Sequence, residues 1–126
     1  MKKILAIDFG TKRVGVAVSR GTLAEPLEVL ANQDDLFDKL GEIIIRENIE
    51  KIVVGLSEGE MAIKTEKFVE ELKLTTEVSI EFFDETLSSQ AVEKRLQQQG
   101  IKRSTRSGQI DHFAAAIILE DWLEQN

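Results

Sequence analysis

Three acidic residues stand where carboxylates can do chemistry: Asp8 in Ile7-Asp8-Phe9-Gly10-Thr11, Glu85 in the Asp84-Glu85 pair, and Asp111 close to Ala114, Ala115 and Ile118. Asp8 closes an apolar run that reads as a buried strand, where an ion is costly unless a cation meets it. Such a carboxylate can serve a turn, ligate a metal or support a phosphate loop. Taken alone, Asp84-Glu85 ahead of a helix start complements the helix dipole. Asp111 sits one turn into the last expected helix, and the small alanines on its own face point to close approach to a sheet. Together the three acids gain a common meaning. Carboxylates gathered in one cleft repel, and hard divalent ions relieve that repulsion by accepting oxygen ligands and keeping exchangeable waters. Mg²⁺ or Mn²⁺ is therefore the expected cofactor. Two such ions, about 3.5–4 Å apart, would clamp the attacking and leaving oxygens of an in-line displacement, which makes a phosphodiester the expected substrate.

The elements that must position these acids follow from periodicity. Ile4 to Phe9 reads as a strand buried on both faces, and the Gly10-Thr11-Lys12 turn makes Val14 to Val18 its antiparallel neighbour. Leu23 to Leu30 is a third strand, and Pro26, which cannot donate to a ladder, places it at a sheet edge. Leu36, Leu40, Ile43 and Ile44 recur at helical spacing behind Asp34 or Asp35 as a cap. A strand at Ile52 to Leu56 follows, then a helix marked by Met61, Thr65, Phe68, Val69 and Leu72, and a strand marked by Val78, Ile80 and Phe82. A third helix is expected from Thr86 or Ser88 to near Gly100, and a last one after Ser107-Gly108 to the C-terminus. A meander followed by right-handed crossovers predicts an α/β fold: a mixed five-stranded sheet, antiparallel in strands 1–3 and parallel in strands 4–5, with helices on both faces. In that topology the ends of strands one, four and five point the same way. Asp8 and Glu85 then face one point, and Asp111 reaches it from the last helix.

The 126 residues suffice for one domain, expected to span 1–126. With 16 Lys and Arg against 23 Asp and Glu, the net charge of -7 argues against a purely electrostatic nucleic-acid or membrane coat. Zero cysteines exclude a disulfide framework, a thiolate zinc site and a cysteine nucleophile; the cytoplasm is the expected compartment. Met1-Lys2-Lys3 resembles the start of a signal peptide, but Asp8 and Lys12 interrupt the apolar run, and no stretch is apolar enough for a membrane span. Phosphate contact needs a local basic patch. Lys94, Arg95, Lys102, Arg103 and Arg106 lie in an interval free of acids, and Lys12 and Arg13 adjoin Asp8. The plain alternative for each is a solvated face or an ion pair. His112 reads as incidental, since neighbours in a helix point about 100° apart. Phe68, Phe113 and Trp122 read as core, whereas Phe9 is open.

Three blocks, IDFGTKRVGVAVS, FFDETLSSQAVEKRL and RSGQIDHFAAAIILEDWL, resemble those of the YqgF family, described as Holliday junction resolvases and pre-16S ribosomal RNA nucleases. The resemblance spans nearly the whole chain in order. It implies a ribonuclease H-like fold, Asp8, Glu85 and Asp111 as metal-binding acids, and metal-dependent processing of the 5′ end of precursor 16S rRNA. The alternative it carries is cleavage of branched DNA at a four-way junction, for which symmetric action calls for a homodimer. Two positions depart from the family pattern: Thr86 stands where Arg is usual, and Gly55-Leu56-Ser57-Glu58-Gly59-Glu60-Met61 replaces a Gly-Leu-Pro loop with an Asp-Gly turn. These departures motivate a third reading, a non-catalytic module that binds RNA or a partner. The DFGT segment also resembles the first phosphate loop of the actin, hexokinase and Hsp70 ATPases, but those close two lobes around ATP, and this chain has length for one.

Overall fold

A computed structural model describes residues 2–84 and 103–125, the latter by backbone alone through residue 113. The elements are β1 (Ile4–Phe9), β2 (Arg13–Arg20), β3 (Leu23–Ala31), α1 (Leu36–Arg46), β4 (Lys51–Leu56), α2 (Glu60–Lys73), β5 (Ser79–Asp84) and α3 (Arg103–Gln125). The sheet order is β3-β2-β1-β4-β5. β1 runs antiparallel to β2 and parallel to β4, which is parallel to β5. The expected mixed sheet is thus observed, with β1 at its centre.

Pro26 lies on the edge strand, as its missing N–H requires. It sits at a bulge: Val16 pairs with Glu28 and Ala17 with Pro26, leaving Leu27 as the extra residue. Strand alternation divides the interior into two layers. Leu5 and Ile7 of β1, with Val14, Val16 and Val18 of β2, face α1 and α2, where they meet Leu36, Leu40, Ile43, Phe68, Val69 and Leu72. Ile4 and Ala6 of β1, Ala17 of β2 and Val53 of β4 face α3 and meet Ala115, Ala116, Ile118 and Leu119. Helices therefore cover both faces.

The expected cap position of α1 is observed, and the expected start of the last helix is corrected. Asp35 occupies the N-cap position of α1 but makes no capping hydrogen bond; its Oδ2 lies 3.4 Å from Lys39 Nζ, and its Oδ1 is buried without a partner. The last helix is already formed at Arg103, ahead of the start expected after Ser107-Gly108, so Gly108 lies inside it. A glycine in a helix costs about 1 kcal/mol. The buried face further along, 114–119, is the kind of tertiary contact that overrides such a cost. The helix expected between Thr86 or Ser88 and Gly100 lies outside the described residues.

α3 runs opposite to β1. Trp122, near its C-terminus, donates a hydrogen bond to Glu81 and lies under Lys51 Nζ, 5.7 Å from the ring centroid. Lys51 opens β4 and pairs with Ile4. The C-terminal end of α3 thus covers the starts of the parallel strands, and its N-terminal half heads toward their C-terminal ends. The expected core role of Phe68 and Trp122 holds: Phe68 is buried, and Trp122 packs on the α3-side cluster.

Candidate nuclease site

β1 delivers Asp8 to the C-terminal edge of the sheet, in its central strand. Because Ile4 and Ala6 face α3, the period of two puts Asp8 on that same face. It is partly buried. Its cross-strand partner on β2 is Gly15. On the other side, β4 reaches Gly55 one residue past the Ile7–Val54 pair. Both strands flanking the carboxylate thus carry glycine at its level, and neither contributes a side chain there. Asp8 stands in a notch between two bare backbones.

The turn after Asp8 is held tightly. A Cβ on Gly10 would lie 2.6 Å from the Arg13 carbonyl oxygen, so only glycine fits without moving the backbone. Asn32, at the end of β3, donates from Nδ2 to the Gly10 carbonyl at 2.8 Å, and its backbone N–H donates to the Lys12 carbonyl at 2.9 Å. Two hydrogen bonds from one residue therefore tie the hairpin to β3, which restricts the strand end that carries Asp8. No local pattern marks Asn32 in the sequence, because its partners lie about twenty residues away in the chain.

The expected site residues fall into three groups. Asp8, Lys12 and Arg13 are described in full: Lys12 and Arg13 are exposed, and Arg13 opens β2 two residues before Gly15, on the α3 face. That makes Arg13 a diagonal neighbour of Asp8, with Cα atoms about 7–8 Å apart by sheet geometry. Arg103, Arg106 and Asp111 lie on the described backbone of α3. Asp111 precedes Ala115 by four residues and Ile118 by seven, both fully buried against the sheet, so it shares their helical register. From Ala115 back to Asp111 the helix rises about 6 Å, and from Ala6 to Asp8 the strand advances about 6.6 Å in the same direction. Both advances run toward the C-terminal edge of the parallel strands. Glu85, Lys94, Arg95 and Lys102 lie outside the described residues; Asp84, which precedes Glu85, ends β5 opposite Leu56 at that edge.

The one described acid of the expected set has the chemistry that suits a hard cation. Asp8 offers carboxylate oxygens in a partly buried place, and the chain has no cysteine to favour a soft metal. No group of three ligating side chains occurs among the described residues, of which Asp8 is the one member of the expected triad with a described side chain.

A family model described as "RuvX: Holliday junction resolvase" matches residues 2–125. The chain belongs to that RuvX family. This agrees with the YqgF resemblance of the three blocks. Among relatives of the RuvX chain, a protein of Sulfurihydrogenibium sp. (strain YO3AOP1) is 39% identical over 99% of this chain and 92% of its own length. A protein of Maridesulfovibrio salexigens is 40% identical over 96% of this chain and 97% of its own length. Both carry the name "Putative pre-16S rRNA nuclease". Among solved structures, T. thermophilus RuvC in complex with a Holliday junction substrate is similar at TM-score 0.60 and 16% identity, over 94% of this chain and 92% of that one. Fowlpox virus resolvase with its junction DNA is similar at TM-score 0.60 and 10% identity, over 98% and 97%. At these identities the likeness establishes the fold, which is ribonuclease H-like. No described helix of the RuvX-family chain is long and apolar enough to cross a membrane.

Proposed function

We propose that this RuvX-family protein is a divalent-metal-dependent nuclease, in one cytoplasmic domain, that processes the 5′ end of precursor 16S rRNA. The observation that carries the reading is the glycine-flanked Asp8 at the C-terminal edge of the sheet, toward which the N-terminal half of α3 runs. In it, Asp8, Glu85 and Asp111 hold Mg²⁺ or Mn²⁺. When bound, the ion supplies polarisation of the phosphodiester and of the attacking water. Asp8 contributes a carboxylate oriented by the Asn32-braced hairpin. Arg13, on the same face, and Lys12 in the turn offer cationic contacts to the phosphates beside the scissile bond, as do Lys94, Arg95, Lys102, Arg103 and Arg106. The relatives named as pre-16S rRNA nucleases support RNA as substrate.

A four-way DNA junction is the second reading, favoured by the description of the matching family model. It requires a homodimer that places two sites symmetrically on the junction. Incubating the protein with precursor 16S rRNA and with a four-way junction, each in Mg²⁺ or Mn²⁺, decides between them. The expected result is cutting of the RNA, lost with a chelator and reduced about 100-fold or more in Asp8→Asn, the scale for removing one group that stabilises developing charge. Cutting that survives Asp8→Asn overturns the proposal, and cutting of the junction alone selects the second reading.

A further inference from the structure

On the other face of β1, one residue past Asp8, Phe9 opens into a groove of about 270 Å³ between the hairpin, α1 and α2. Its walls combine two chemistries. Phe9 stacks on Phe68 with ring centroids 4.5 Å apart, and Phe37 stacks on Phe68 at 5.6 Å, so three aromatic rings form one layer. Phe68 is buried, whereas Phe9 and Phe37 keep part of their surface exposed. At the rim stand Thr11, Asn32 and two lysines of α2, Lys64 and Lys67, which are three residues apart and share a helical face. Both lysines are exposed, and among the described residues neither has a carboxylate within ion-pairing distance, although Glu71 also lines the groove. In a chain of net charge -7, the lining sets two lysines against one glutamate beside the aromatic rings, a locally positive balance.

The volume lies just below the roughly 300–1,000 Å³ of sites that enclose a whole drug-sized ligand, so the groove suits one unit of a larger ligand. Aromatic rings with flanking lysines are the parts that hold unpaired nucleotides, the ring taking a base and the cation its phosphate. A base in a duplex has both faces stacked and cannot use the ring. We propose that the groove holds one unpaired nucleotide of the nucleic-acid strand being cut, its base against Phe9 and Phe37 and its phosphate on Lys64 and Lys67. Phe9 and Asp8 are adjacent residues pointing to opposite faces of one strand. A strand crossing the end of β1 therefore reaches both, and the groove selects an unpaired nucleotide next to the cleavage point.

This inference rests on the nuclease reading, and binding measured without metal separates the two. Fluorescence anisotropy in EDTA with a labelled single-stranded RNA, a blunt duplex of the same sequence and a free mononucleotide compares wild type with Lys64→Gln/Lys67→Gln and Phe37→Leu. The lysine variant is expected to bind the single strand roughly tenfold more weakly, with the slope of log K against log salt reduced by about 1.4, or about 0.7 for each lost contact. Phe37→Leu, which keeps an apolar side chain, is expected to weaken single-strand binding about fivefold with the slope unchanged. Duplex affinity is expected to be the same in all three proteins. Unchanged single-strand affinity and slope in both variants overturn the groove while leaving the nuclease reading intact, as does a mononucleotide that binds as tightly as the strand. Failure of the wild type to bind any nucleic acid overturns both.

Discussion

The two faces of the sheet are built from different side chains. Toward α1 and α2, β1 and β2 present Leu5, Ile7, Val14, Val16 and Val18, which fill a thick layer with Leu40, Ile43 and Phe68. Toward α3 the same strands present Ile4 beside the small Ala6, Gly15 and Ala17, met by Ala115, Ala116, Ile118 and Leu119. Large residues stabilise by the area they remove from water, whereas small ones let backbones approach. One face therefore supplies most of the folding energy and the other sets a distance. Asp8 lies on the face that sets the distance, and α3, held close there by alanines, carries Asp111 on its backbone.

The sharpest way to test that division is to damage each face in turn. Leu40→Ala, on the thick face, removes a fully buried side chain and is expected to cost about 2–5 kcal/mol in denaturant unfolding, with cleavage by the folded fraction near wild type. Ala115→Leu, on the thin face, is expected to cost about 1–3 kcal/mol through overpacking. Its cleavage rate should nevertheless fall further than that of Leu40→Ala, because the inserted side chain moves α3 off the sheet. If the two variants lose activity in proportion to stability, the division between faces is wrong.

The smallest effect expected lies at the opposite edge, away from the acids. Glu47 gathers Lys3 at 3.4 Å and Arg20 and Arg46 at 3.5 Å. Burial pushes its carboxyl up, but the hydrogen bond from Lys3 and the charges of Arg20 and Lys3 outweigh this and hold it below the ordinary carboxylate value of 4.5. A depressed pKa in the folded state stabilises above the unfolded value and is lost as pH falls through the folded one. Glu47→Gln should therefore cost at most about 1 kcal/mol at neutral pH. The difference from wild type should vanish in acid below pH 4.5, as read by urea titrations across pH, and cleavage should not change.

Much of this arrangement was legible in the sequence, for local reasons. Strand and helix periods are properties of neighbouring residues, so Ile4 to Phe9, the Leu36 to Ile44 stripe and the Met61 to Leu72 stripe declared themselves, and Pro26 declared the edge. The last helix was legible, but its start was not, because Gly108 is a local stop signal overridden by contacts further along the helix. What remained hidden depends on register between distant segments. Gly15 and Gly55 read as ordinary strand glycines until pairing sets them on either side of Asp8. Asn32 and Lys64 carried no pattern at all, and Phe9 stayed open until the ring of Phe68 was found against it.

Titration of Mn²⁺ by electron paramagnetic resonance, run on wild type, Asp8→Asn and Asp111→Asn, tests most directly whether the two carboxylates meet at one ion. The account predicts saturable binding by wild type that weakens about tenfold or more in each variant and no further in the double variant, since a shared site is broken once. Binding that either single variant leaves untouched would contradict it.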